Sequence, residues 1–149
     1  MKGIPYWKQV KAEFLTSYGN DEHQATIVIA QEVGLPSGVI TVMGGIGFHL
    51  IREIIAETSF ERKVAEYSDG RVGPYGVLSL SDRLDDSKKR YKDRLQKRHL
   101  NVDDHYSALA QSFDVLEKQI LSNADCELDD LTDAAIAPII AELWDYTIS

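Results

Sequence analysis

The chain has 149 residues, of which 44% are hydrophobic and 27% are charged, a composition typical of one globular domain. Its 16 lysines and arginines stand against 24 aspartates and glutamates, so the formal net charge is -8. This excess of negative charge argues against coating of nucleic acid or of an anionic membrane by the whole surface. The single cysteine excludes an intrachain disulfide framework and the cysteine-rich zinc modules.

The sequence predicts neither a secretory signal peptide nor a transmembrane segment. Residues 1–11 contain lysines without an apolar run, and the most apolar stretch, residues 39–55, is interrupted by glycines, His49, Arg52 and Glu53. We therefore expect synthesis in the cytoplasm, with delivery to any outside target by another device.

The first third of the chain predicts helices. Four residues place apolar groups on one face of a first helix: Tyr6, Trp7, Val10 and Phe14. A second helix is expected to begin at Asp21 and Glu22. Three of its apolar residues are expected to be buried: Ile27, Val28 and Val33. Residues 35–38 indicate a turn, and residues 39–42 fit either a strand or the start of a buried helix.

The middle of the chain combines a clear helix with an irregular segment. From Phe48, apolar residues follow the spacing of one helix face: Leu50, Ile51, Ile54 and Ile55. A loop is expected between Glu57 and Gly76, and residues 68–80 carry turn signals from aspartate, glycine and proline. Four residues of this segment fit either a short extended piece or the start of a helix: Tyr75, Val77, Leu78 and Leu80.

The last part of the chain predicts three helices. Residues 81–99 form a polar helix, and Asp103 is expected to cap the next, which runs to Ile120. Either Asp129 or Thr132 would cap the last helix, in which Pro138 predicts a kink or a late start.

Several groups of residues are not expected to form cofactor or metal sites. The glycines at 44, 45 and 47 do not have nucleotide-loop spacing, and the four histidines make no metal motif. Cys126 lies between two acidic residues, which disfavour a reactive thiolate. We therefore expect no cofactor and no metal. The basic run Lys88–Arg98 is interpreted as a solvated helix face; a site for a polyanion is the alternative.

Glu57 is the residue whose position most favours a catalytic role. It ends an apolar helix, and both the helix C-terminus and apolar surroundings would raise the pKa of its carboxyl group. A carboxyl group that stays protonated near neutral pH is what a general acid for glycoside cleavage needs. The alternative is an ordinary exposed glutamate at a helix end.

Two short motifs resemble the signature of lytic transglycosylases and goose-type lysozymes. Glu57-Thr58-Ser59-Phe60 is similar to the family's Glu-Ser-x-Phe. Gly76-Val77-Leu78-Ser79-Leu80 matches the glycine and apolar positions of Gly-Leu-Met-Gln-Leu, with Ser79 in place of glutamine. The preceding Gly73-Pro74 is similar to a variant found in transglycosylase domains of phage internal virion proteins. The resemblance covers about thirty residues.

The resemblance implies a mainly α, lysozyme-like single domain over residues 1–149. A short loop or small β element would follow the glutamate of the catalytic helix. It implies that Glu57 acts as general acid and then base, and that Tyr75 and the segment Gly76–Ser79 line a glycan groove. Tyr146 would supply the family's tyrosine near the acid, although the family's Tyr-Asn-Ala-Gly motif is absent from this sequence. Glu66 and Asp69, in the loop, are candidates for a second carboxylate.

The function expected from these observations is cleavage of bacterial peptidoglycan, by a phage or virion lytic enzyme or a secretion-system effector. It would act on the periplasmic or extracellular cell wall, with a virion or delivery device as partner and no nucleic acid. One alternative is an endopeptidase of the same fold that cuts peptide cross-links. Another is a non-enzymatic acidic helical protein, such as an immunity protein, antitoxin or inhibitor. Its binding face would comprise Asp125, Glu127, Asp129, Asp130 and Asp133.

Overall fold

The protein is described by a computed structural model, which covers residues 2–73, 75–143 and 147. The expectation of a mainly α fold is confirmed, since 75% of the described residues are helical and a small two-stranded sheet accompanies them. Backbone contacts divide the chain into two compact units, Met1–Gly45 and Ile46–Ser149. The single domain expected over residues 1–149 stays a prediction.

The first unit contains α1 (Ile4–Tyr18), α2 (Glu22–Glu32) and α3 (Ser37–Gly44). The start of α2 is confirmed, because the carboxylate of Asp21 accepts a hydrogen bond from the backbone N–H of Gln24 at 3.0 Å. Residues 39–42 belong to α3 and therefore take the helical alternative.

The expected burial pattern of α2 is wrong. Val33 is 69% exposed, and Ile27 and Val28 are only partly buried. The buried residues of the helix are Ala25 and Ala30. These small side chains bring the helix backbone close to its neighbours, whereas Val33 lies just past the last turn.

The second unit opens with a short 3-10 helix (Phe48–Leu50) that leads into α4 (Ile51–Ala56) and α5 (Phe60–Arg71). An antiparallel hairpin of β1 (Val72–Gly73) and β2 (Gly76–Val77) follows. The remaining elements are α6 (Leu80–Lys97), α7 (Val102–Leu121), a second 3-10 helix (Leu128–Asp130) and α8 (Asp133–Leu143).

The core of the second unit is built around α7. This helix buries a regular stripe of side chains: Val102, Tyr106, Leu109, Phe113, Leu116 and Ile120. Ile51 from α4, Tyr67 from α5, and Leu80 and Leu84 from α6 complete the cluster. The apolar periodicity of α7 and of the segment after Phe48 predicts this core correctly, because the same spacing places residues on one helix face.

The loop expected after Glu57 is an error of the sequence analysis. Residues 60–71 form α5, whose start is capped by the Ser59 hydroxyl, an acceptor for the Arg62 N–H at 3.4 Å. Glu66 and Asp69 therefore lie on a helix. The small β element comes after α5, with Val72 opposite Val77 and Gly73 opposite Gly76.

The cap expected for α7 is wrong, and the structure selects one of the two caps expected for α8. The Asn101 side chain, and not that of Asp103, caps α7 by accepting from the N–H groups of residues 103 and 104. At α8 the hydroxyl of Thr132 accepts from the Ala135 N–H at 3.2 Å, so the Thr132 alternative is correct. Pro138 lies inside α8.

Among the described residues, no single helix is long and apolar enough to cross a membrane. The apolar segments Ser37–Gly44 and Phe48–Ala56 meet the length and composition test only when taken as a pair.

Candidate active site

Glu57 lies at the C-terminal end of α4, where its backbone N–H continues the helix by donating to the Glu53 carbonyl at 3.1 Å. Its carboxylate forms an ion pair with the guanidinium of Arg62, and its side chain is 35% exposed. The structure thus gives Glu57 a cationic partner, whereas the sequence analysis expected apolar surroundings.

Glu66, in the middle of α5, is fully buried, with 0% of its surface exposed. Its Oε2 accepts a hydrogen bond from the Gly47 N–H at 2.6 Å, and its Oε1 is buried without a hydrogen-bond partner. Burial raises the pKa of Glu66 to about 7, and the charge of Asp69 adds to the rise. The hydrogen bond from Gly47 and the charge of Arg62 act against it.

Arg62 connects the candidate carboxylates. Residues 62, 66 and 69 are spaced by four and three along α5, so they share one helix face. Arg62 pairs with Glu57, and its charge also acts on Glu66. Arg62 therefore acts on both carboxyl groups: it is the ion-pair partner of Glu57, and its charge opposes the rise in the pKa of Glu66.

Asp69 is more open than the other two carboxylates. Its side chain is 54% exposed and lies 4.0 Å from the guanidinium of Arg83. The Nε of Arg83 also donates to the Asp69 backbone carbonyl at 3.2 Å. Asp69 is therefore held at the end of α5 by a residue of α6, on the same helix face as Glu66.

The residues assigned to the glycan groove lie on the hairpin and just after it. Tyr75 is 99% exposed at the hairpin turn. Gly76 has φ +142, and a Cβ at this position would lie 2.4 Å from the carboxylate of Asp133. That carboxylate accepts from the Val77 N–H at 2.8 Å, which fixes the hairpin to the start of α8. Only glycine fits this combination of backbone angle and close approach.

The hydroxyl of Ser79 forms two hydrogen bonds with Asp82. It accepts from the Asp82 N–H at 3.0 Å and donates to the Asp82 carboxylate at 2.6 Å, so it caps the N-terminus of α6. Tyr146, assigned as the tyrosine near the acid, lies outside the described residues.

Sequence reasoning missed Arg62 and the role of Gly47. The spacing of Arg62 to Glu66 and Asp69 on a helix would have signalled a shared face if α5 had been predicted. Gly47 comes 19 positions before Glu66, and no local pattern predicts that contact.

Two cavities of the second unit lie along α6 and α7. The larger of the two, about 510 Å³, runs along Lys88, Lys92 and the turn before α7. The other, about 380 Å³, has an apolar floor that includes Leu84 and Tyr106 and a rim that includes Asp85, Asp103 and Asp114. Neither cavity is lined by Glu57 or Glu66.

Within residues 2–73, 75–143 and 147, no three histidine, cysteine, aspartate or glutamate side chains converge in a way that would hold a metal ion. Comparison with protein-family models, with curated proteins and with solved structures finds no match to this chain.

Proposed function

We propose that the chain is a lysozyme-type lytic enzyme that cleaves the glycan strand of bacterial peptidoglycan, with Glu66 and Glu57 as its two carboxyl groups. The observation that carries the proposal is Glu66, a fully buried carboxyl group whose pKa is raised to about 7. Such a group is half protonated at neutral pH, as a general acid requires. It lies on the helix that leads directly into the β-hairpin.

The two carboxyl groups have different roles in this proposal. The Glu66 carboxyl group gives its proton to the glycosidic oxygen as the bond to the anomeric carbon breaks. Glu57, which forms an ion pair with the Arg62 guanidinium, stabilises the positive charge that develops on the sugar. The oxygen of water, or of a hydroxyl group of the same sugar, then attacks the anomeric carbon and gives its proton to the Glu66 carboxylate. This assignment moves the acid from Glu57, as the sequence resemblance implied, to Glu66.

The burial of Glu66 sets a condition on this mechanism. A glycan reaches the carboxyl group only when the segment around Gly47 moves away from it, because Gly47 holds Oε2 and the side chain is 0% exposed. Substrate binding would thus replace the Gly47 hydrogen bond by one to the glycosidic oxygen.

Turbidity clearing of purified peptidoglycan tests the proposal. We expect wild type to clear the suspension and Glu66→Gln to lose at least about a hundredfold in rate, since amide cannot donate the proton. Glu57→Gln should also slow clearing. Glu53→Gln is the matched control, because Glu53 is exposed on α4 one turn before Glu57. Mass spectrometry of the products distinguishes anhydro-sugar ends, reducing ends and freed peptide stems.

The outcomes separate the proposal from its alternatives. Equal clearing by wild type and Glu66→Gln would remove Glu66 as the acid, and freed peptide stems would indicate the endopeptidase alternative. Absence of clearing by a folded wild-type protein would reject the enzyme. Circular dichroism of each variant shows that the fold is retained.

The second candidate is a non-enzymatic acidic interaction protein. One observation favours it: all five residues of its expected binding face are exposed, namely Asp125, Glu127, Asp129, Asp130 and Asp133. Two of them also have structural partners, since Asp130 accepts from the Glu127 N–H at 2.9 Å and Asp133 holds the hairpin. If the protein is such an interaction protein, neither wild type nor any variant should clear the peptidoglycan suspension.

A further inference from the structure

The first helix, α1, carries an apolar face that nothing in the described structure buries. Ile4 is 74% exposed, Trp7 59%, Phe14 40% and Leu15 37%, and α1 contains no buried residue. These four positions, with Val10 between them, follow the three- and four-residue spacing of one helix face. An apolar stripe of this kind on a folded helix marks an interaction surface, because exposed contiguous apolar area is costly in water.

The charge on α1 is opposite to that of the whole chain. Residues 2–18 contain three lysines and one carboxylate, Glu13, whereas the chain has a net charge of -8. Lys8 follows Ile4 by one helical turn and lies at the edge of the apolar stripe. Lys11 follows Trp7 by one turn and lies within the stripe. Both side chains are exposed. This face of α1 therefore combines apolar side chains with two ammonium groups on long stems, which suits a surface that is apolar inside and negatively charged outside.

The aromatic side chains of α1 are of the type found at membrane interfaces. Trp7 packs edge-on against Tyr6 with ring centroids 5.1 Å apart, and Phe14 packs against Tyr18 at 4.9 Å. Tryptophan and tyrosine bury an apolar ring while a polar atom stays in contact with water or head groups. Lysine stems extend along the apolar boundary while their charges reach the head groups.

We propose that α1 binds the surface of an anionic phospholipid bilayer, with Ile4, Trp7, Phe14 and Leu15 inserted and Lys8 and Lys11 at the phosphates. The helix lies in the interface and does not cross the membrane. Its 15 residues extend about 23 Å, which is shorter than the roughly 30 Å hydrocarbon core. Exposed apolar residues supply the insertion, and the local positive charge selects anionic lipid. This proposal does not rest on peptidoglycan cleavage.

Trp7 provides a direct readout in the full chain. The chain has two tryptophans, so Trp144→Phe leaves Trp7 as the remaining one. With vesicles of equal parts phosphatidylcholine and phosphatidylglycerol, we expect the Trp7 emission to shift to the blue and to be quenched by brominated acyl chains. Vesicles of phosphatidylcholine alone should bind at least about tenfold more weakly, and salt at about 1 M should weaken binding to the anionic vesicles. An unchanged Trp7 spectrum with anionic vesicles would overturn the proposal.

Co-sedimentation with the same vesicles assigns the contact to α1. Trp7→Ala with Phe14→Ala should reduce binding at least about tenfold, because two large apolar groups are removed. Tyr91→Ala with Val115→Ala is the matched control, since these side chains are 40% and 44% exposed on α6 and α7. Lys8→Glu with Lys11→Glu should also abolish binding.

Two further outcomes would overturn the proposal: lipid binding by α6 in place of α1, or dimerisation through α1 in place of lipid binding. If Lys89→Glu with Lys97→Glu removes binding while the Lys8 and Lys11 reversals do not, the basic run of α6 is the lipid site. If sedimentation shows a dimer that Trp7→Ala with Phe14→Ala dissolves, and the dimer does not bind vesicles, the face belongs to a second copy of the chain.

Discussion

At the scale of single residues, Glu66 is the most unusual group in the described structure. An ionised carboxylate in a buried site loses its hydration, and one hydrogen bond from Gly47 does not replace it. Its pKa is therefore about 7 in the folded protein, whereas the unfolded chain has the ordinary value of 4.5. The folded state binds the proton more tightly than the unfolded state.

This difference predicts how stability depends on pH. Below about pH 4.5 both states hold the proton, and the contribution of Glu66 to stability is greatest. As the pH rises from about 4.5 to about 7, the unfolded chain loses the proton first, so the free energy of unfolding falls by an amount on the order of 3 kcal/mol. Well above pH 7 both states have lost the proton, and Glu66 causes no further change in the free energy of unfolding.

Urea unfolding at about pH 5 and about pH 8 checks this prediction. Glu66→Gln should remove most of the decrease, because the amide has no proton to lose, and should make the protein more stable than wild type at the higher pH. Glu53→Gln should keep the wild-type dependence, since Glu53 is exposed. The same slope in wild type and Glu66→Gln would contradict a raised pKa at this site.

At the scale of secondary-structure elements, the ends of the helices are set by side chains that satisfy free backbone N–H groups. Ser79 does so for α6, Ser59 for α5 and Asn101 for α7. Ser59 and Ser79 lie within the motifs that resemble a lytic enzyme. A structural role of Ser79 and a role in a glycan groove therefore have to be separated by experiment.

Ser79→Ala makes this separation. Loss of the cap should reduce the free energy of unfolding by about 1 kcal/mol, whereas Ser81→Ala, at an exposed position in the first turn of α6, should have little effect. Thermal unfolding measures both variants. An unchanged stability of Ser79→Ala together with weaker binding of glycan fragments would instead assign the hydroxyl to the groove.

At the scale of the whole molecule, the buried apolar cluster belongs to the second unit. Its ten members run from Ile51 to Ile120, and Phe113 and Leu116 of α7 are 1% and 0% exposed. Tyr67 and Arg71 of α5 also meet Glu117 of α7, with a hydrogen bond of 2.6 Å from the Tyr67 hydroxyl. The buried Tyr67 hydroxyl and its charged acceptor raise the pKa of Tyr67 well above its usual value.

We therefore expect residues 46–149 to fold without the first 45. A fragment of this range should unfold cooperatively, with a midpoint within a few degrees of the full chain, because it keeps the whole cluster. Circular dichroism melts of both proteins test this. A fragment with no cooperative transition would show that all 149 residues form one folding unit, which is what the single-domain prediction states.

The sequence by itself determined the helical class and most of the helix positions. Apolar spacing on α4 and α7 and the Asp21 cap of α2 are local signals, since they involve residues within about one turn of each other. At α8 the sequence offered Asp129 or Thr132 as the cap, and the structure selects Thr132. The sequence failed at α5, where a polar segment with a glycine was interpreted as a loop.

Only the tertiary structure decided the environment of each candidate carboxylate. Glu57 was expected to be the acid beside apolar surface, but Arg62, five residues on, pairs with it. Glu66 is the buried group because a distant segment brings the Gly47 N–H to its Oε2. Solvation and charge pairing depend on which chain segments meet in space, and no local pattern of residues contains that information.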